Sequence, residues 1–136
     1  MFTPRFILPD FEAAGNPEQS KRYLECLLRC LLDLDVLYLR RHPNTPLLYQ
    51  AGVRYLRDAP GVEDWQSIPE VRSRGVADCK SLACWRSAEL LVSGQRAYPQ
   101  FFWRDRDNGG ATFHIVVQHL DGTIEDPSRI LGMKRI

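Results

Sequence analysis

The hydrophobic pattern of this chain changes period once, near Gly94, and that change restricts the fold more than any other feature. Before it, apolar residues recur at three- and four-residue steps, the repeat of helices buried along one side. After it, "RAYPQFFW", "TFHIVVQHL" and "TIEDP" read as strands, separated by "DRDNGG" and by Asp121-Gly122. Helices followed by closely linked strands predict an α+β fold with a small antiparallel sheet. The 136 residues suit one domain spanning 1–136, without internal repeats.

The first helical segment is the longest. Asn16 reads as its N-cap and Pro17 as its first helical residue, with Gln19 three positions after the cap. It is expected to reach about His42, where Pro43 stops it, as an amphipathic spine of about 40 Å. Leu24, Leu27, Leu28, Leu31, Leu34 and Leu37 or Tyr38 form its expected buried stripe. Residues 1–15, carrying Phe2, Phe6, Ile7, Leu8 and Phe11, read as an arm that docks on the body or on another subunit.

Between spine and sheet, "PNTPLLYQAG" reads as a loop and "VRYLRD" as a short extended segment. Ser67 and Glu70 have capping-box spacing, which predicts a short helix stopping near Gly75. Asp78 then caps a second main helix containing Leu82, Ala83, Trp85, Arg86, Leu90 and Leu91.

Charge excludes some functions. With 18 basic against 17 acidic side chains, the chain lacks the field that grips nucleic acid or an anionic membrane. No apolar run approaches the ~20 residues of a membrane span, and the start lacks the apolar centre of a signal peptide. A cytoplasmic protein is expected, and its four cysteines then count as thiols before disulfides.

One of those thiols has a special position. In "GVADCKSLACW", Cys79 directly follows the cap Asp78, with Lys80 beside it. Only a thiolate is a competent nucleophile, and the free N–H groups and dipole of a helix start stabilise that anion. Cys84 falls well inside the same helix and reads as core. Cys26 and Cys30, four apart on the spine, read as packing residues. With no Cys-x-x-Cys in the chain, neither a metal nor another cofactor is expected.

A cysteine nucleophile needs a base, and the base needs an orienting group. Of the three histidines, His42 closes the spine, where it is expected to meet terminal carbonyls. His119 adjoins the Leu120-Asp121-Gly122 turn, where exposure is expected. His114 stands mid-strand among apolar residues, where an imidazole either works or has a buried partner. The turn decides its partner. A two-residue Asp121-Gly122 turn puts His114 and Asp126 on opposite faces and favours Glu125 as orienter. A three-residue loop with Gly122 left-handed opposes Asp126 to Val116, diagonal to His114 on the same face.

The order Cys-His-Asp, within "G-x-x-D-C-x-S-L-A", "F-H-I-V-V" and "D-G-x-I-E-D-P-S", resembles the transglutaminase-like branch of the papain-like cysteine enzymes. It is most similar to small single-domain forms of bacteria and their phages, over residues 70–131. The resemblance implies Cys79 as nucleophile, His114 as general base and Asp126 as orienter, on a central helix whose start meets a small antiparallel sheet. Papain-type members carry a glutamine six residues before the cysteine for the oxyanion hole, where this chain has Ser73. Animal-type transglutaminases use an upstream aromatic, which makes Trp65, Gln66 and Tyr49 the candidates for oxyanion or substrate contacts.

Such a triad implies acyl transfer on a peptide or protein substrate. Water as the second nucleophile hydrolyses a peptide, isopeptide or amide bond, which is the expected activity; an amine cross-links. Two other readings are a non-catalytic module in a larger protein assembly and a redox-sensing thiol, the second disfavoured by the poor geometry of Cys79 and Cys84 for a disulfide.

Overall fold

The structure, a computed structural model, describes residues 17–59, 63–105 and 111–134. The arm expected over 1–15 and the cap expected at Asn16 lie outside the described residues. Among the described residues are four helices, α1 (Pro17–Arg41), α2 (Ile68–Arg74), α3 (Cys79–Val92) and α4 (Pro127–Ile130). Strands β1 (Arg54–Tyr55) and β2 (Val76–Ala77) pair in parallel. Strands β3 (Ala97–Asp105), β4 (Ala111–His119) and β5 (Ile124–Glu125) form an antiparallel sheet in that order. Mixed helix and sheet agrees with the α+β expectation.

Helix α3 is the centre. Ten of its residues are buried, including Lys80, Leu82, Cys84, Trp85 and Glu89. It contacts α1, α2, α4, β3 and β4, so it has apolar groups on all sides rather than one stripe. The odd-numbered face of the sheet supplies Ala97, Phe101, Ile115 and Val117 to this core. On the even-numbered face Tyr98, Phe102 and Ile124 are about half exposed, and Val116 is covered.

The spine spans its expected length, and Leu24, Leu28 and Leu31 of the expected stripe are buried, but the rest of its inward face differs. Its buried side is Leu24, Leu28, Leu31, Leu32, Asp35 and Leu39, whereas Leu34 and Leu37 are more than half exposed and Leu27 is intermediate. Leucines occur nearly all round α1, so their spacing alone could not select the face. Asp35 is fully buried, and its Oδ1 accepts from the Ile68 N–H at 2.9 Å. It thereby caps α2 from another element. Ser67 makes no side-chain cap, contrary to the capping-box expectation. Burial, opposed by the Ile68 N–H, holds the Asp35 carboxyl well above its ordinary range. Cys26 and Cys30 are exposed, not packed. His42 stacks on Tyr38 with ring centroids 4.3 Å apart instead of serving terminal carbonyls.

Besides β2, two shorter elements were not foreseen. The expected loop after α1 holds a 3-10 turn at Leu48–Gln50, anchored where the Leu48 N–H donates to Glu89 Oε2 at 3.0 Å. Helix α4 starts on Asp126-Pro127, a cap-and-proline pair that marks a helix start.

Candidate active site

Helix α3 starts at Cys79 because Asp78 is extended and its carbonyl takes the first helical bond, from the Leu82 N–H at 3.1 Å. The residues leading into that start are held by β1. Tyr55 pairs with Ala77, and the Leu56 N–H donates to the Ala77 carbonyl at 2.9 Å. Cys79 itself is half-buried.

His114 stands on β4 with Nε2 2.8 Å from Asp126 Oδ2, and Cys79 is among the neighbours that act on its ring. The bond to Asp126, then the influence of Cys79, outweigh partial burial and raise the imidazole pKa from 6.5 to about 9. For Asp126, burial works against the charge, but His114 and the Arg129 N–H hold the carboxyl below its ordinary value. That N–H donates to Asp126 Oδ1 at 3.4 Å, so one carboxylate both caps α4 and orients an imidazole.

The loop between β4 and β5 makes this meeting possible. The His119 N–H donates to the Thr123 carbonyl at 2.9 Å, the Gly122 N–H donates to the His119 carbonyl at 3.0 Å, and Gly122 has φ +87°. This is the three-residue loop. It pairs Val117 with Glu125 and so brings Asp126 opposite Val116, diagonal to His114. Only glycine adopts that φ at little cost.

The same register sends Glu125 to the other face, into a second cluster. Tyr49 Oη donates to Glu125 Oε2, Arg86 Nε donates to the same oxygen at 2.6 Å, and His119 Nε2 lies 3.1 Å from Oε1. Arg86 also lies over the Tyr49 ring and pairs with Glu89 at 2.9 Å. Burial opposes the Glu125 charge, yet Arg86, Tyr49 and His119 keep its carboxyl below the ordinary value. His119 is therefore engaged and half-buried, not exposed. Of the sequence-derived candidates, Tyr49 belongs to this cluster.

Trp65 and Gln66 belong to the start of α3. The Gln66 N–H donates to Ser81 Oγ at 3.2 Å, and Lys80 Nζ lies 5.5 Å from the Trp65 ring centroid. Ser73 is exposed on α2. An aromatic that sequence reasoning missed is Tyr55. Burial raises its phenol pKa first, and the charges of Cys79, Asp78 and Asp126 add to the shift. The signal was incomplete: "VRYLRD" looked extended, but nothing local says that it pairs with Val76–Ala77.

Asp78 does not turn its side chain to the α3 amides. It is bonded to Lys80 Nζ, which Asp58 Oδ2 and Glu63 Oε2 also approach, at 2.8 and 3.0 Å. The three carboxylates could serve a hard cation by donor type, but the almost fully buried Lys80 ammonium already occupies their centre. Burial works against the Lys80 charge, and the three acids together reverse this and raise its pKa. Burial, opposed by Lys80, lifts Asp78 to about 6. Lys80 thus ties Asp58 and Glu63 to the helix start, and its charge is taken up by these acids rather than by Cys79. Cys84 is fully buried, its thiol donating to the Leu28 carbonyl at 3.6 Å, and burial pushes its pKa up.

Comparison of the chain with models of protein families, with curated proteins and with solved structures finds no match in any of the three.

Proposed function

We propose that the chain is a thiol-dependent acyl-transfer enzyme of the transglutaminase-like, papain-like kind, hydrolysing a peptide, isopeptide or amide bond. The observation that carries the reading is the 2.8 Å contact of His114 with Asp126, with Cys79 among the groups that raise the imidazole pKa. A nucleophile, a base and an orienter from three separate elements share one proton pathway, as acyl transfer by a thiol requires. A cysteine at a helix start against an antiparallel sheet also agrees with the resemblance carried by the sequence motifs.

In this mechanism the Cys79 sulfur attacks the carbonyl carbon while His114 holds the thiol proton as an imidazolium. The raised pKa of His114 keeps that proton available through neutral pH. The imidazolium then gives it to the departing nitrogen, and Asp126 holds the ring in place throughout. The Cys79 backbone N–H is one donor for the tetrahedral oxyanion. Water, deprotonated by His114, then cleaves the thioester.

The test is the rate of Cys79 alkylation by iodoacetamide against pH, resolved by peptide mass spectrometry, in the wild type and in His114→Ala. The variant is expected to slow Cys79 and alter its pH profile while Cys26 and Cys30 react as before. Superimposable Cys79 profiles in the two proteins sink the reading.

A further inference from the structure

We propose that Phe102 forms the subsite for the leaving group and, in the reverse sense, for an incoming amine, and that this subsite selects an apolar side chain. The inference rests on the acyl-transfer reading and adds the chemistry of one half of the substrate.

The register decides where the leaving group goes. Strand β4 lies between β3 and β5, so His114 has one neighbour on each side. On the β5 side is Asp126, bonded to Nε2 and itself the cap of α4. That side is filled. On the β3 side Phe102 is the direct cross-strand partner of His114. Partners of this kind share a face with Cβ atoms about 5 Å apart, so Phe102 and His114 are side-by-side neighbours on it. Phe102 is 48% exposed, and its face of the sheet also exposes Tyr98.

A half-exposed phenylalanine beside a partly open histidine has a consequence for acyl transfer. The nitrogen that leaves, or that attacks the thioester, exchanges its proton with His114 and must lie within hydrogen-bond reach of the ring. The substituent on that nitrogen therefore extends over the open β3 side, across Phe102. An apolar substituent removes phenyl surface from water. A charged one is desolvated there without a partner.

The chemistry can be read one half at a time. In a Cys26→Ser/Cys30→Ser background, 4-nitrophenyl acetate transfers its acetyl group to Cys79 and releases 4-nitrophenolate. The acetyl-Cys79 thioester is then offered glycinamide or phenylalaninamide. The amine nitrogen bonds to the carbonyl carbon as the C–S bond breaks. Its surplus proton passes to His114, and Cys79 departs as thiolate. Rates are normalised to those of the same amines with a free acetyl thioester. Phenylalaninamide is expected to react at least about tenfold faster than glycinamide, a margin of the size that apolar pockets supply. In Phe102→Ala the two amines should fall within about twofold of each other. In Phe102→Glu the preference should move to lysinamide.

Equal amine preference in the wild type, or a preference unchanged in both variants, overturns the subsite while leaving acyl transfer standing. Failure of wild-type Cys79 to form an acetyl thioester at all removes the acyl-transfer reading, and the subsite with it.

Discussion

His114 Nε2 and Asp126 Oδ2 are 2.8 Å apart, although twelve residues and a reversal of the chain separate them. The contact depends on one extra residue in the turn between their strands. It also gives Asp126 two duties that substitution can separate, because asparagine caps helices as well as aspartate does. Asp126→Asn should keep the start of α4 and lower the rate of acyl transfer by about a hundredfold or more. Asp126→Ala should add about 1 kcal/mol of lost stability from the cap. Urea unfolding beside a rate measurement separates the two effects; equal stability loss in both variants would deny the capping role.

The pair also predicts a pH dependence of folding. His114 rises from 6.5 to about 9 on folding, so its contribution is complete below about pH 6.5 and disappears as pH rises through about 9. Asp126 is lowered, so its contribution is present above 3.8 and disappears as pH falls through the lower folded value. The stability difference between wild type and His114→Ala should therefore be largest between about pH 4 and 6.5 and shrink above pH 9. Denaturant midpoints at pH 5.5 and 9.5 test this, and a difference that grows with alkalinity contradicts it.

Lys80 makes a sharper stability prediction. Removing one partner from a buried ionic cluster leaves the remaining charges uncompensated. Lys80→Met should cost about 3 kcal/mol or more at pH 7, because Asp58 and Asp78 are largely buried around it. Asp78 already titrates near 6 with the lysine present, and without it the acids take up protons more readily. The loss should therefore be smaller at pH 5 than at pH 7. A pH-independent loss would mean that packing of the lysine stem, not its charge, is what matters.

The four cysteines should fall into distinct classes. Cys26 and Cys30 are exposed, Cys79 is half-buried and Cys84 is fully buried. Iodoacetamide at neutral pH should modify Cys26 and Cys30 in the folded chain and leave Cys84 untouched until denaturant is added. Native-state modification of Cys84 would contradict its place against Leu28.

Where a feature was set by neighbours in sequence, the residues announced it. Pro43 after α1, the left-handed Gly75 after α2 and the Asp78-Cys79 start of α3 could each be read from the chain. The strand period after Gly94 likewise appeared as β3, β4 and β5. The edge of the buried face of α1 could not be read: Leu24, Leu28 and Leu31 are buried as expected, but Leu34 and Leu37 continue the same spacing into solvent, and the fully buried Asp35 is no part of an apolar pattern. Nor could the partners of Lys80, because no local rule brings Asp58 and Glu63 back to α3.

By itself, then, the sequence determined the main elements, their order, and which thiol and imidazole had positions suited to chemistry. It left two registers for the orienting acid, Asp126 or Glu125. Local propensity allows both turns, and they differ by one residue, which reverses the face of every later side chain. Only the packed structure decided. Glu125 finds Arg86, Tyr49 and His119 on one face, and that fixes β5 in the register that gives Asp126 to His114 on the other. Those partners come from a 3-10 turn, a helix and a strand far apart in the chain, and they meet only once the core has closed around α3.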